Sequence, residues 1–174
     1  FMRSFGARYH EKISRPQYVG AFGQQGETAG AFFDFPQGID VDPEGNVYVV
    51  DTRNNRIQKF GPWPDPDHIT SWGVMGRRDG QFLYPCGVAA DPTYNLIYVT
   101  DPHNYRVQIF DRNGRYLYSW TDWESPQTGT MFRDAFGVVA DGEGGVYVGN
   151  RKYANDVLGG SGQQSYIVKF EIQN

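Results

Sequence analysis

One cysteine, Cys86, stands among 174 residues, so no disulfide can form within the chain. Cysteine usage therefore points to neither an oxidising nor a reducing compartment. Histidine is nearly as scarce, and of the three, His10 and His68 share no metal-ligand spacing with any other donor. No apolar run approaches the roughly 18 residues that cross a bilayer. Stretches such as NVYVVD at 46–51 end in charge within six residues, so no membrane insertion is expected. The opening FMRSFGARYH has no apolar core of a signal peptide, and a secreted or periplasmic location stays open because such a peptide could have been cleaved. Asn-x-Ser/Thr acceptors are missing. So is any basic excess: 16 Lys and Arg face 20 Asp and Glu, and a net charge of −4 exerts no general pull on phosphate backbones. There is no G-x-S-x-G, and GGSGQQS at 159–165 lacks the lysine of a phosphate-binding loop.

What is abundant suits strands and turns. Aromatics make up 16% of the chain, with 22 glycines and 10 prolines, which argues against a mostly helical protein. The length fits one domain, 1–174. Within it the sequence repeats. GIDVDPEGNVYVVDTRNNRIQKF from Gly38, GVAADPTYNLIYVTDPHNYRVQIF from Gly87 and GVVADGEGGVYVGN from Gly137 superimpose with a period of about 50 residues. Each unit divides into short strands: 38–42, 87–91 and 137–141 first, then 47–51, 97–101 and 146–150, then 56–60, 106–110 and 166–170. A fourth is expected at 69–72 and at 116–120. DPEG at 42–45 carries the residues of a type I turn and predicts a tight hairpin. Strands such as VYVV and IYVT are apolar on both faces, so sheet must stack on sheet.

The composite G-x-F-x-x-P-x-G-(V/I)-x-(V/A)-D-P-x-x-N-x-(V/I)-Y-V-x-D-x-x-N-x-R-(I/V)-Q-x-F resembles the NHL repeat, over nearly the whole of residues 18–170. The resemblance implies an all-β propeller with three four-stranded blades, about 31–73, 80–120 and 130–170. The last of these ends after its third strand. YVGAF at 18–22 has the pattern of a fourth strand and is expected to complete it. Three blades are half of a six-bladed ring, which a homodimer would close head to tail; the alternative is missing upstream blades, and MRSFG at 2–6, resembling IQKFG at 57–61, favours that alternative.

NHL propellers include binding platforms and enzymes, so the fold alone does not choose a function. The expected function is a noncatalytic binding or assembly module with a protein partner. The alternatives are a metal-dependent lactonase, hydrolase or lyase of six blades and a binder of single-stranded RNA. In the family, loops entering the first strand and loops between the second and third strands share one face at the channel. The resemblance therefore places Gln37, Cys86, His103, Asp134 and Phe136 there as binding candidates, along with the aromatic entry residues Phe35 and Tyr84. The third unit carries about ten extra residues, RKYANDVLGGSGQQS at 151–165, a loop that adds Arg151, Tyr153, Asn155 and Asp156 to the candidates. Amidating lyases hold zinc with channel histidines, where this chain has Gln37, Cys86 and Phe136, so no catalytic residue, metal or other cofactor is expected; Asp134 and Gln37 are the oxygen donors that calcium would favour. Asp51 with Arg56, and Asp101 with Arg106, read as structural ion pairs, because the third unit replaces both members together, by Asn150 and Tyr166. Trp72 with Arg77 and Arg78 is the one local pattern that suits a nucleic acid. GPWPDPD at 61–67 and WTDW at 120–123 are expected at the outer rim, where an exposed Trp would mark a partner surface.

Overall fold

The computed structural model describes residues 18–30, 32–121, 132, 134–152 and 164–172. Among them the chain is all β apart from one short 3-10 turn at Pro102–Asn104. Strands β1 (Gln24–Gln25) and β2 (Phe32–Phe33) form a small parallel pair ahead of the first blade. The first blade runs β3 (Pro36–Val41), β4 (Val47–Asp51), β5 (Arg56–Phe60), β6 (His68–Trp72), each antiparallel to the next. The second repeats that order with β7 (Val88–Ala90), β8 (Leu96–Asp101), β9 (Arg106–Asp111) and β10 (Tyr116–Thr121). The third has β11 (Ala135–Ala140), β12 (Gly145–Lys152) and β13 (Gln164–Glu171).

The strand residues explain the stacking. In the first blade Tyr48, Val50 and Ile57 turn one way and meet Val88, Ala90, Ile97, Val99 and Phe110 of the second. The second turns Ala89, Tyr98 and Val107 toward Val146, Val148 and, partly buried, Val138 and Phe170 of the third. Alternate residues thus fill two successive inter-blade cores, as a strand apolar on both faces requires. Rings clasp each junction. Phe110 lies 5.6 Å from Phe82 and 5.9 Å from Trp72, while Phe170 lies 5.7 Å from Phe132 and 4.6 Å from Trp120. Trp72 and Trp120 are therefore core-packing residues between blades. Trp63 is the exposed tryptophan of the 61–67 segment, and Trp123 lies outside the described residues.

Two expectations change. The third unit's second and third strands run further than the repeat pattern, pairing Arg151 with Ser165 and Lys152 with Gln164, so the hairpin continues into the expected loop. Backbone pairing needs no sequence signature, and it goes on where the repeat motif stops. Second, residues 18–23 form no strand within the chain; Phe22 instead packs on the first blade, 5.0 Å from Phe60 and 6.2 Å from Phe33. Among the described residues the third sheet has three strands, β11, β12 and β13.

The DPEG turn forms as expected, with the Gly45 N–H donating to the Asp42 carbonyl at 2.9 Å. Burial pushes the Asp42 carboxyl up, but donors from Asn46 (side chain and backbone) and the Tyr48 hydroxyl outweigh it and hold it below the usual range. A depressed folded value stabilises above the unfolded value of 3.8 and is lost as pH falls through the folded value. In Asp42→Asn, the fall in urea midpoint between about pH 5 and about pH 3 should therefore be smaller than in the parent chain. An equal fall would place the acid-sensitive carboxylates elsewhere.

Candidate functional site

The Asp-x-x-Asn-x-Arg-x-Gln segments build the scaffold of the site. Asp51 is buried, and its Oδ2 accepts from Arg56 Nε at 2.7 Å and from Gln58 Nε2 at 3.1 Å, while Oδ1 accepts from the Asp34 N–H at 2.7 Å. Arg56 Nη2 donates onward to the Thr28 and Phe32 carbonyls, and Asn54 Nδ2 to the Gly26 carbonyl. The second blade copies this bond for bond. Asp101 accepts from Arg106 Nε at 3.0 Å, from Asn104, from Gln108 and from the Leu83 N–H, and Arg106 Nη2 donates to the Arg78 and Gln81 carbonyls. Each network straps the loop that leads into a blade onto that blade. In the third blade Asn150 Oδ1 accepts from the Asp134 N–H at 3.2 Å. An amide keeps that acceptor without burying a charge where Tyr166 stands in place of the arginine.

The straps fix two loops at one end of each sheet. In the first blade the Arg53 guanidinium lies 4.9 Å from the centre of the Phe35 ring and 3.6 Å from Asp34. In the second, His103 takes the place of Arg53 and Tyr84 that of Phe35, with ring centres 5.4 Å apart. Phe35 and Tyr84 hold φ values of 55° and 52°, a left-handed conformation that costs a bulky residue free energy, and both rings are exposed. Tyr105, also exposed, has φ 55° where the first blade has Asn55, whose side chain accepts from the Tyr84 N–H at 2.8 Å. Phe136 adds another exposed ring. A shallow groove of about 440 Å³ runs beside Phe35 and Arg53, lined also by Phe22, Gln25 and Pro36.

Gln37 is exposed at this end and Asp134 is half-buried. Cys86 is buried, its Sγ donating to the Tyr84 carbonyl at 3.4 Å, so Cys86 and His103 both border Tyr84. Burial pushes the Cys86 thiol up to about 11, which leaves little thiolate for nucleophilic or metal chemistry at neutral pH. Among the described residues no three His, Cys, Asp or Glu side chains gather as a metal site. Arg151 lies in β12 opposite Ser165, and Tyr153, Asn155 and Asp156 fall outside the described residues. Arg77 and Arg78 are exposed, and the Arg78 backbone serves the Arg106 strap. Sequence reasoning missed Arg53 and Tyr105. Aligning repeats at Arg53 and His103, and at Phe35 and Tyr84, carried the signal for the first; the positive φ of Tyr105 is invisible in sequence.

The NHL repeat family model matches residues 33–60, from β2 to the end of β5. Protein brain tumor of Drosophila melanogaster is 30% identical over 128 residues, 73% of this chain and 11% of that protein. NHL repeat-containing protein 3 of Homo sapiens is 30% identical over 113 residues, 61% of this chain and 31% of that one. The chain thus spans under a third of the length of either relative. A chain of a nidogen/laminin complex superimposes with a TM-score of 0.52 at 19% identity, covering 78% of this chain and 44% of that one, which is a likeness of fold.

Proposed function

The chain belongs to the NHL-repeat β-propeller family, and from that premise we propose that it is a noncatalytic protein-binding module whose partner docks on the end carrying Phe35, Tyr84 and Phe136. The observation that supports this reading is the aromatic ring with a cationic or imidazole neighbour, Phe35 with Arg53 and Tyr84 with His103, built twice at equivalent places and left exposed. Aromatic and Arg side chains dominate the energetics of protein interfaces, because they bury much area with few rotors to freeze. Both rings stand on backbone at positive φ, a conformation that costs a bulky residue free energy.

Panning a random peptide library on the purified chain tests it. Enriched peptides should bind the parent and Ile69→Ser, and lose at least roughly tenfold in Phe35→Ser/Tyr84→Ser, a loss of about 1.4 kcal/mol or more. Peptides that ignore the double variant would move the site elsewhere. Tight binding of a single-stranded RNA pool near 50 mM salt, steeply weakened by added salt, would replace a protein partner by a nucleic acid.

A further inference from the structure

The two ring clasps at the aromatic end differ in the charge that meets them. In the first blade Arg53, which lies over Phe35, pairs with Asp34 at 3.6 Å. Asp34 is placed there by its own N–H, which donates to the Asp51 carboxylate at 2.7 Å. In the second blade the N–H that donates to the Asp101 carboxylate, at 2.9 Å, belongs to Leu83, so Leu83 holds the place of Asp34. His103 therefore stands against Tyr84, exposed, with a leucine where its counterpart has an acid. Among the described residues no ion pair includes it.

The loops leading into the two blades reverse charge in the same sense. Residues 26–30 read GETAG and residues 76–80 read GRRDG. Both are held alike: Asn54 Nδ2 donates to the Gly26 carbonyl at 2.8 Å and Asn104 Nδ2 to the Gly76 carbonyl at 2.9 Å. The Gly30 and Gly80 N–H groups each donate at 2.9 Å to a strap glutamine, Gln58 and Gln108. Glu27 thus corresponds to Arg77 and Thr28 to Arg78, and all four are exposed. Asn104 follows His103 directly, so its bond to Gly76 sets the Arg77–Arg78 turn beside the His103 loop. The acids on this side are already engaged. Asp79 lies 3.8 Å from Arg106, and Asp101 is buried against the same guanidinium.

We propose that the partner docking at this end is an acidic peptide segment, which sets a Glu or Asp carboxylate against His103 with Arg77 and Arg78 as its cationic surround. That carboxylate takes in trans the part Asp34 plays in cis. A histidine donates to a carboxylate from either protonation state, and the two arginines add charge without competing for the ring. One blade away the sign is opposite, because Glu27 and Asp34 border Arg53. The peptide's acids therefore belong on the second blade and its apolar side chains on Phe35. A run of phosphates crossing the end would meet that acidic border, so the charge pattern favours a peptide over a nucleic acid. The inference rests on the reading of this end as a docking site and names the chemistry of what docks there.

Random peptide pools whose central residue is fixed as Glu, Gln or Lys are compared on the immobilised chain. The Glu pool should bind roughly fivefold or more tighter than the Gln pool, and the Lys pool should bind weakest. His103→Gln and Arg77→Gln/Arg78→Gln should each reduce that preference, and together erase it. Leu83→Asp, which gives the second blade the acid of the first, should also reduce it. The arginine pair is exposed, so its replacement tests the point even where Leu83→Asp disturbs the loop. Pools bound alike by the parent, a Glu preference that survives the combined His103 and arginine changes, or a uridine oligomer bound more tightly than the Glu pool would overturn the proposal. Pools bound alike but lost in Phe35→Ser/Tyr84→Ser would leave the docking reading standing; binding of every pool unchanged by that double variant would remove the site itself.

Discussion

Arg106→Ala should cost about 3–5 kcal/mol of stability, several times what an exposed ion pair is worth. The Asp101 carboxylate is fully buried, and the substitution leaves its charge with two amide side chains and one N–H where a guanidinium stood at 3.0 Å. The Arg78 and Gln81 carbonyls lose a donor in the same step, so the loop arriving from the first blade is released from the second. Glu171→Gln offers the comparison: its pair with Lys169 is exposed at 2.8 Å, and its loss should change the urea midpoint within error. The third blade suggests a repair. Asp101→Asn/Arg106→Tyr copies the pair found at 150 and 166, keeps an acceptor for the Leu83 N–H and removes the stranded charge. It should recover part of what the single change loses. A single variant that unfolds at the parent midpoint, or a double variant worse than the single, would show that the strap is not what holds this loop.

The strap also shows how far the sequence was readable. Its residues recur at fixed spacing because each has fixed backbone partners to reach, so the period, the strand order and the bounds of β4 and β5 were all legible. Joint replacement at 150 and 166 carried the pairing itself. Features that depend on continuing a ladder were not legible: β12 runs on to Lys152 and β13 starts at Gln164, because backbone pairing there follows no repeat motif. YVGAF has the composition of a strand, but among the described residues its aromatic end, Phe22, packs in a ring cluster with Phe33 and Phe60. The site divided similarly. Residue types at the channel end could be listed from the alignment of repeats, whereas the left-handed backbone at Phe35, Tyr84 and Tyr105 that presents the rings has no signature of its own.

Phe110→Ala should be the other severe change, at about 3–5 kcal/mol, which for a chain of this size lowers the melting temperature by roughly 6–20 °C. Phe110 is fully buried and its ring meets Phe82, Trp72 and Tyr116 at 5.6, 5.9 and 5.9 Å, so its removal opens a cavity walled by three large rings that cannot collapse into it. Phe110→Leu keeps most of the volume and should cost less than half as much. Where the loss appears is more telling than its size. Among the described residues each buried cluster joins one blade to the next, so stability is a sum of blade and junction terms, and the ring sits in the junction of the first and second blades. Hydrogen exchange should therefore quicken in β4 and β5 well before it does in β11 and β12, whose junction is held by the separate cluster of Trp120, Phe132 and Phe170. Equal quickening in all three blades would mean that the array unfolds as one unit, and that the strand ladders couple the blades more tightly than the ring clasps do.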